Sequence, residues 1–489
     1  MSIHWPIIRT CLRYPLEHGV IDDSRSYRRI ELLIAAMNLA DVLDRTCQSK
    51  RGPVAVMLPS SGAFPIAALA GWISGRVVVP LNFLLKQEEL QYVIDDCGCD
   101  TVVTATAMID YLGFTPQRVK LLKMDTLDLK RVPEPRIPAI NSDDDLALLL
   151  YTSGTSGKPK GVMLSHGNIS TNIRQAIEWV GFCRDEVLLG VLPQFHTFGL
   201  TVLTLLPLTR GCRVINSARF VPGRIVKTFR QHRPTAMIAI PSMYNALLQV
   251  KDAGPDDFAS LRYAVSGGEP LPDAVATAFF DRFGVRIAEG YGLTETSPVT
   301  NWCRPSEFKP HSVGQALPGV RQRIVDPDSG SILGRNQDGE VRIKGPNVMQ
   351  GYYQLPAETA AAFDREGWLR TGDIGRIDDD GHLYITGRLK DMLIIGGENV
   401  FPREIEEVVN HHPAVKDSGV IGIKDPMRGE QPVAFVELNE GETFDAQSIV
   451  SWCRGKLAGY KVPEVRHIET LPRNATGKVL RRELRAMVK

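Results

Sequence analysis

The chain has 489 residues, 43% of them hydrophobic and 23% charged, the composition of a folded globular protein large enough for two to four lobes. Its formal net charge is +1 and it has no Lys/Arg tract, which argues against nucleic acid or an anionic membrane as an obligate partner. The eight cysteines are scattered, with only Cys97 and Cys99 close together, so neither a zinc site nor a disulfide framework is expected.

The opening residues, MSIHWPIIRTCLRYPLEHG, carry no apolar core of a signal peptide and no small-residue cleavage site. The apolar run from Ala63 to Ile73 is interrupted by Pro65 and Gly71 and is too short to span a bilayer. These features predict a reduced, cytoplasmic protein with no transmembrane segment. The sequons at Asn168 and Asn474 then carry no meaning.

From about Pro53 onward, short β-branched or Leu-rich runs alternate with helix-length segments. Strands are predicted over 54–58, 76–81 and 101–106, with helices over 63–74 and 87–96 between them. The Pro-rich, then acidic, stretch 132–145 reads as a connection. LALLLY (146–151) is the apolar kind of strand that is buried on both faces. Further strands are predicted over 235–240, 262–266 and 285–289. This alternation predicts an α/β architecture built on largely parallel sheets. After about Val313 the texture changes to short apolar runs among Gly, Pro and Asp (VRQRIV, GEVRIK, GHLYIT), a β-rich subdomain over about 313–387. A final segment, 388–489, mixes helices (402–411, 446–457) with strands (SGVIGI, PVAFVEL). The expected division is therefore 1–387 as a large N-terminal domain and 388–489 as a small, mobile α+β domain.

The strongest local signal is Tyr151-Thr-Ser-Gly-Thr-Ser-Gly-Lys-Pro-Lys-Gly161. A buried strand feeds a run of small residues whose backbone amides can close around phosphate oxygens. Thr152, Ser153, Thr155 and Ser156 add hydroxyls, Gly154 and Gly157 add freedom, and Lys158 or Lys160 supplies charge. The spacing does not fit the G-x4-G-K-[ST] loop of P-loop nucleotidases.

This run resembles the signature of the adenylate-forming superfamily, which includes acyl-CoA synthetases, peptide-synthetase adenylation domains and beetle luciferase. Further motifs follow in the family's order over most of the chain. The resemblance implies a set of roles. Pro193-Gln-Phe-His-Thr-Phe-Gly199 resembles the segment carrying a gate beside the acyl pocket, with His196 closing over the substrate carboxylate. Ser266-Gly-Gly-Glu-Pro270 resembles the turn along the adenine, which implicates Gly268, Glu269 and Pro270. Glu289-Gly-Tyr-Gly-Leu-Thr-Glu-Thr296 resembles the segment in which a tyrosine stacks on adenine, a threonine contacts the α-phosphate and a glutamate binds Mg2+. These roles fall to Tyr291, Thr294 and Glu295, with Glu289, Gly290 and Gly292 lining the nucleotide and Thr152 as a second hydroxyl contact to the metal.

Asp338-Gly-Glu340, Lys344-Gly-Pro and Gly351-Tyr resemble the family's β-subdomain motifs and read as structural. Trp368-Leu-Arg-Thr-Gly-Asp373 resembles the segment whose aspartate takes the ribose hydroxyls, which implies that role for Asp373 with Arg388 as its companion. Gly387-Arg-Leu-Lys-Asp391 resembles the hinge, with Lys390 at the pivot. Ile394 stands where several relatives carry a lysine, which removes a cation expected there. Gly396 and Gly397 resemble the segment lining the thiol tunnel, and Asn474-Ala-Thr-Gly-Lys478 resembles the family's C-terminal motif, which implies that Lys478 is the catalytic lysine.

The resemblance thus implies an acid–thiol ligase using Mg2+, ATP and coenzyme A, or an acyl carrier protein in coenzyme A's place. The apolar run Phe198–Leu206 and nearby Met243 suit an aliphatic tail, so a medium or long fatty acid is the expected substrate. An aryl acid is the alternative. No aspartate is placed to bind an amino group. A nucleotide sensor without catalysis and a luciferase-like oxygenase are the other classes, and the presence of Glu295, Asp373 and Lys478 together argues against the sensor.

Overall fold

Alternation of side chains along the strands sets the layering. In the strand Val54–Val56, Val54 and Val56 enter one core while Ala55 enters another on the opposite face. The same division runs through Leu148 and Leu150 against Leu149, and through Val103 against Val102. In a second sheet Leu188, Val214 and Ile238 enter the first of these cores, while Leu189, Ile215 and Met237 line a third. The first core therefore lies between two sheets, and both sheets are buried on both faces, as their continuous apolar runs require. The computed structural model describes residues 2–153, 158–396, 398–473 and 479–488.

One sheet has the strand order Gly351–Tyr352, Pro159–Ser165, Leu146–Ser153, Val78–Pro80, Val54–Val56, Thr101–Thr104, Lys120–Lys123. It is parallel apart from Pro159–Ser165, which runs antiparallel to both its neighbours. The other runs Val299–Trp302, Ala288–Gly292, Tyr263–Ser266, Ala236–Ala239, Val187–Gly190, Arg213–Asn216, His18–Ile21, Ser26–Arg28, parallel except at its two ends. The helices Arg29–Thr46, Ala63–Ile73 and His166–Val180 pack in the shared core. Ala63–Ile73 is apolar on every side because it is wrapped by other elements: ten of its residues are buried.

A separate antiparallel sheet joins Arg321–Val325, Gly339–Lys344, Leu369–Ile377 and Leu383–Arg388. Within it Glu340 and Asp364 are bracketed by Arg342 and Arg323. Burial alone would raise Asp364, but the Trp368 and Glu366 amides and the two guanidiniums outweigh it and hold its carboxyl at about 2. Glu340 of the Asp338–Glu340 motif is thus part of a buried ion-pair cluster, while Asp338 is exposed and pairs with Arg376. A small C-terminal domain follows. Its strands Val415–Asp425 and Gly429–Leu438 pair antiparallel, Glu464–His467 adds in parallel, and the helices Pro402–Asn410 and Ala446–Arg454 cover its core. Among the described residues no helix is long and apolar enough to cross a membrane.

The structure differs from the pattern-based reading at two places near the site. The strand expected over 285–289 runs instead over Ala288–Gly292, because Gly290–Gly292 pair with Val299–Trp302, a partner that no local pattern announces. The segment after the phosphate motif is a strand, Pro159–Ser165, before the helix His166–Val180 begins. The motif therefore joins the arms of a β-hairpin, with Thr152 opposite Lys160 and Ser153 opposite Pro159.

Candidate active site

The carboxyl ends of the parallel strands from both sheets converge, the usual place for a ligand in open α/β sheets. From one sheet comes the hairpin 146–165. Its first strand is held at Tyr151, whose hydroxyl donates to Asp96 Oδ2 at 2.5 Å. Burial and this carboxylate push the Tyr151 phenol up. Lys158 Nζ lies 5.3 Å from the centroid of the Tyr92 ring, and Lys160 Nζ 5.5 Å from that of Tyr352. Gly154, Thr155, Ser156 and Gly157, between the hairpin strands, lie outside the described residues, as do Gly397 and Lys478.

From the other sheet come three segments. After Val187–Gly190 the chain turns through His196 and enters a π-helix, Phe198–Leu205. Gly199 is required there, since a Cβ would meet the Pro193 carbonyl. The Phe198 amide donates to His196 Nδ1 at 3.4 Å, which assigns the proton of the neutral ring to Nε2. Thr197 donates its hydroxyl hydrogen to Thr294 Oγ1 at 3.2 Å, linking the gate segment to the motif that follows Gly292.

After Tyr263–Ser266 comes the Gly267–Pro270 turn. Gly268 has φ +84°, a conformation that favours glycine. A Cβ at Gly267 would stand 3.0 Å from the Phe198 ring, so Phe198 lies directly against this turn. Glu269 is half-buried and Pro270 exposed. Met243, in the first turn of Pro241–Leu247, packs against both the shared core and the outer one.

The third segment, Ala288–Gly292, carries Glu289, which is buried and accepts the Leu271 amide at 3.3 Å. Burial raises its pKa, partly offset by Arg403. Its side chain thereby braces the neighbouring turn. Gly290 and Gly292 pair with Trp302 and Val299, and a Cβ at Gly292 would collide with the Pro298 carbonyl. Tyr291 extends to the antiparallel sheet and donates its hydroxyl hydrogen to Asp373 Oδ2 at 2.6 Å. Asp373 is buried, and its other oxygen takes Arg388 Nε at 2.6 Å from the directly opposite strand position. Thr371 fixes the backbone here by accepting the Asp373 amide at 3.0 Å.

Glu295 is gripped twice. Its carbonyl accepts the Met349 amide at 2.8 Å, and its Oε1 accepts the Tyr352 hydroxyl at 2.9 Å. The Lys160 ammonium lies over that same Tyr352 ring. Lys160 is paired across the hairpin with Thr152, so the two expected metal contacts, Thr152 and Glu295, belong to one neighbourhood. Among the described residues no group of three or more His, Cys, Asp or Glu could hold a metal ion. A lone carboxylate beside a hairpin expected to take phosphate suits a hard cation that arrives with phosphate oxygens as its other ligands. Tyr352, Thr197 and Asp96 were not singled out from the sequence for this site. Tyr352 stood in a Gly-Tyr pair read as structural, and only its pairing with residue 162 brings it here.

On the short turn Leu389–Asp391, Lys390 is exposed. Asp391 is buried and faces Arg481 at 3.3 Å, which also grips both oxygens of Glu406 at 2.7 and 2.8 Å. Just before this turn, Gly387 accommodates the Phe401 ring, and Arg403 donates to the Ile385 carbonyl, seating the small domain's first helix on the strand Leu383–Arg388. Gly396 has φ +62° and is exposed.

Comparison with known proteins follows the same outline. Residues 8–353 match the family described as AMP-binding enzyme, and residues 404–478 the AMP-binding enzyme C-terminal domain. A long-chain-fatty-acid–CoA ligase of Bacillus subtilis is 34% identical over 93% of this chain and 89% of its own length. A feruloyl-CoA synthase of an Amycolatopsis species is 33% identical over 98% of both. Among solved structures, the o-succinylbenzoate coenzyme A synthetase of Bacillus subtilis in complex with ATP and a magnesium ion superposes with a TM-score of 0.87, at 30% identity, over 98% of this chain and 99% of that one. The chain belongs to the AMP-binding enzyme family, and within it to the AMP-forming acyl-CoA ligases.

Proposed function

We propose that the protein uses ATP and Mg2+ to convert a carboxylic acid to acyl-AMP and pyrophosphate, then passes the acyl group to the thiol of coenzyme A. The observation that carries this reading is the convergence of Glu295, Tyr352 and Lys160 with the Tyr291–Asp373–Arg388 group at the strand ends.

The reaction brings a carboxylate to the α-phosphorus of a polyanion, so like charges must be neutralised and aligned. Lys160 and the hairpin amides supply fixed positive charge, and Lys478 brings a mobile one to bridge the substrate carboxylate and the α-phosphate. Thr294 contacts that phosphate, and the Thr197 hydroxyl hydrogen on its Oγ1 leaves the Thr294 proton to point elsewhere. Mg2+, held by Glu295 and Thr152, supplies neutralisation of the triphosphate charge. Asp373 accepts from the ribose, with Arg388 and Tyr291 fixing its orientation. His196 closes over the carboxylate. The acid is ionised at neutral pH and needs no general base. A carboxylate oxygen bonds to the α-phosphorus and the bond to the β-phosphate bridge breaks, releasing pyrophosphate. The small domain then turns about Lys390, withdrawing Lys478 and bringing Gly396–Gly397 to the thiol path. The thiolate attacks the acyl carbonyl and AMP leaves.

For the acid, a medium or long fatty chain is favoured. Its support is the apolar π-helix behind Phe198 and the similarity to a long-chain-fatty-acid–CoA ligase. An aryl acid is the second reading, favoured by the nearly equal similarity to a feruloyl-CoA synthase. The test is carboxylate-dependent exchange of pyrophosphate into ATP across an acid panel, followed by thioester detection with coenzyme A and with acyl carrier protein. Fatty acids should give the fastest exchange, and coenzyme A the thioester. No exchange with any acid would overturn the reading, and exchange with thioester only on carrier protein would overturn the choice of acceptor.

A further inference from the structure

We infer that Tyr352 is a positioning residue for the metal-bound nucleotide: its hydroxyl orients the Glu295 carboxylate and its ring face seats the Lys160 ammonium. The inference rests on the assignment of Glu295 to Mg2+ proposed above, and it adds a residue to which the family motifs give only a structural role.

The backbone around Tyr352 is pinned from both sides of the site. Gly351 and Tyr352 form a two-residue strand against Met163 and Val162 of the phosphate hairpin. The Gln350 amide donates to Met163 O at 3.0 Å and the Tyr353 amide to Gly161 O at 2.7 Å. One residue before Gln350, the Met349 amide donates to the Glu295 carbonyl. Five consecutive residues thus stitch the hairpin of one sheet to the turn that follows a strand of the other. The Tyr352 amide donates to Thr359 Oγ1 at 2.9 Å, and Gly351 leaves room for that Thr359 side chain, which holds the strand against the helix Pro356–Ala362.

On this fixed backbone the ring reaches two charges of opposite sign. Its hydroxyl meets Glu295 Oε1 at 2.9 Å, a charge-assisted bond that fixes the rotation of the carboxylate. Its face lies 5.5 Å from Lys160 Nζ, within the range of cation–π attraction. A metal ligand whose rotation is fixed before binding loses less freedom on coordination, and removing such an outer partner typically weakens metal affinity about 10–100-fold. A tyrosine serving only as packing would exchange freely with phenylalanine.

The experiment uses the full chain and measures ATP binding by calorimetry as Mg2+ is varied, without acid substrate, alongside thermal midpoints and pyrophosphate exchange. In Tyr352→Phe, which keeps the ring, the Mg2+ needed for half-maximal ATP binding should rise about 10-fold. ATP affinity at saturating Mg2+ should stay close to that of the parent. In Tyr352→Leu, which also removes the ring, affinity at saturating Mg2+ should fall further, about 2–5-fold. Glu295→Gln should raise the Mg2+ requirement at least as much as Tyr352→Phe, and combining the two should add little. A parental Mg2+ curve in Tyr352→Phe with a shifted curve in Glu295→Gln would overturn the role of Tyr352 alone. Parental curves in both would overturn the assignment of Glu295. Both Tyr352 variants lack the hydroxyl, so either one carries the Mg2+ test if the other fails to fold.

Discussion

Tyr291 and Asp373 lie on different sheets, and the tyrosine hydroxyl reaches the buried carboxylate at 2.6 Å while Arg388 takes the other oxygen at the same distance. The aspartate is therefore held in one rotamer with its charge balanced before any nucleotide binds. Asp373→Asn should cost about 10–100-fold in ATP affinity, the scale of hydrogen bonds to a charged group. Tyr291→Phe keeps the ring and should cost less, a few-fold. Equilibrium binding of ATP and of AMP measures both. An unchanged AMP affinity in Asp373→Asn would remove the ribose role.

Thr197 donates to Thr294 across the site. Thr197→Val preserves shape and removes the hydroxyl, so pyrophosphate exchange should slow about 2–10-fold with little change in KM for the acid. A raised KM with unchanged kcat would mean that Thr197 shapes the acyl pocket and does not serve the phosphate.

Lys478→Ala should lower acid-dependent pyrophosphate exchange about 10²–10³-fold, the scale for losing a key electrostatic donor. Thioester formation from preformed acyl-AMP should fall much less. Equal losses in the two half-reactions would count against a moving domain.

The N-terminal helix His4–Arg13 carries a pH-sensitive pair at its start. His4 is buried and donates to the Ala139 carbonyl at 3.0 Å, and buried His166 accepts the Ile3 amide at 3.3 Å. Burial lowers both to about 4 from 6.5. Between these values the unfolded chain binds protons that the native state refuses, so stability should fall as pH drops from about 6.5 toward 4. Each histidine contributes at most about 1.4 kcal/mol per pH unit. Carboxyls held low, such as Asp364 at about 2 and Glu437, add to this loss as pH approaches their unfolded values, so the histidine part is read above about pH 5. Urea midpoints from pH 7 to 4.5 in the parent and in His4→Gln test this. A slope unchanged by the substitution would refute it.

Much of this protein is readable from its residues because the chemistry is concentrated in short motifs. The buried strand 146–151, the doubly apolar helix at Ala63 and the order of Thr294, Glu295 and Asp373 along the chain all follow from local pattern. What local pattern misses is pairing at a distance. Gly290 to Gly292 look like a loop by composition, and they form a strand because Val299–Trp302 lies alongside. Likewise, a Gly-Tyr pair has no signal for a metal site until a two-residue strand brings it beside residue 162. The acid itself is the least readable, because the residues behind Phe198 are apolar whether they line a pocket or merely fill a core.

The phosphate segment spans a hairpin, and the nearest helix starts only at His166, beyond the far end of the second strand. Among the described residues, therefore, no helix of this segment aims aligned peptide dipoles at the nucleotide. Beside the hairpin amides, attraction then falls to amines that water can reach, with Lys158 exposed and Lys160 half-exposed. Dissolved ions shield such amines readily. The grip on ATP should loosen as the medium grows saltier, making ionic strength a dial on how much of the enzyme is loaded.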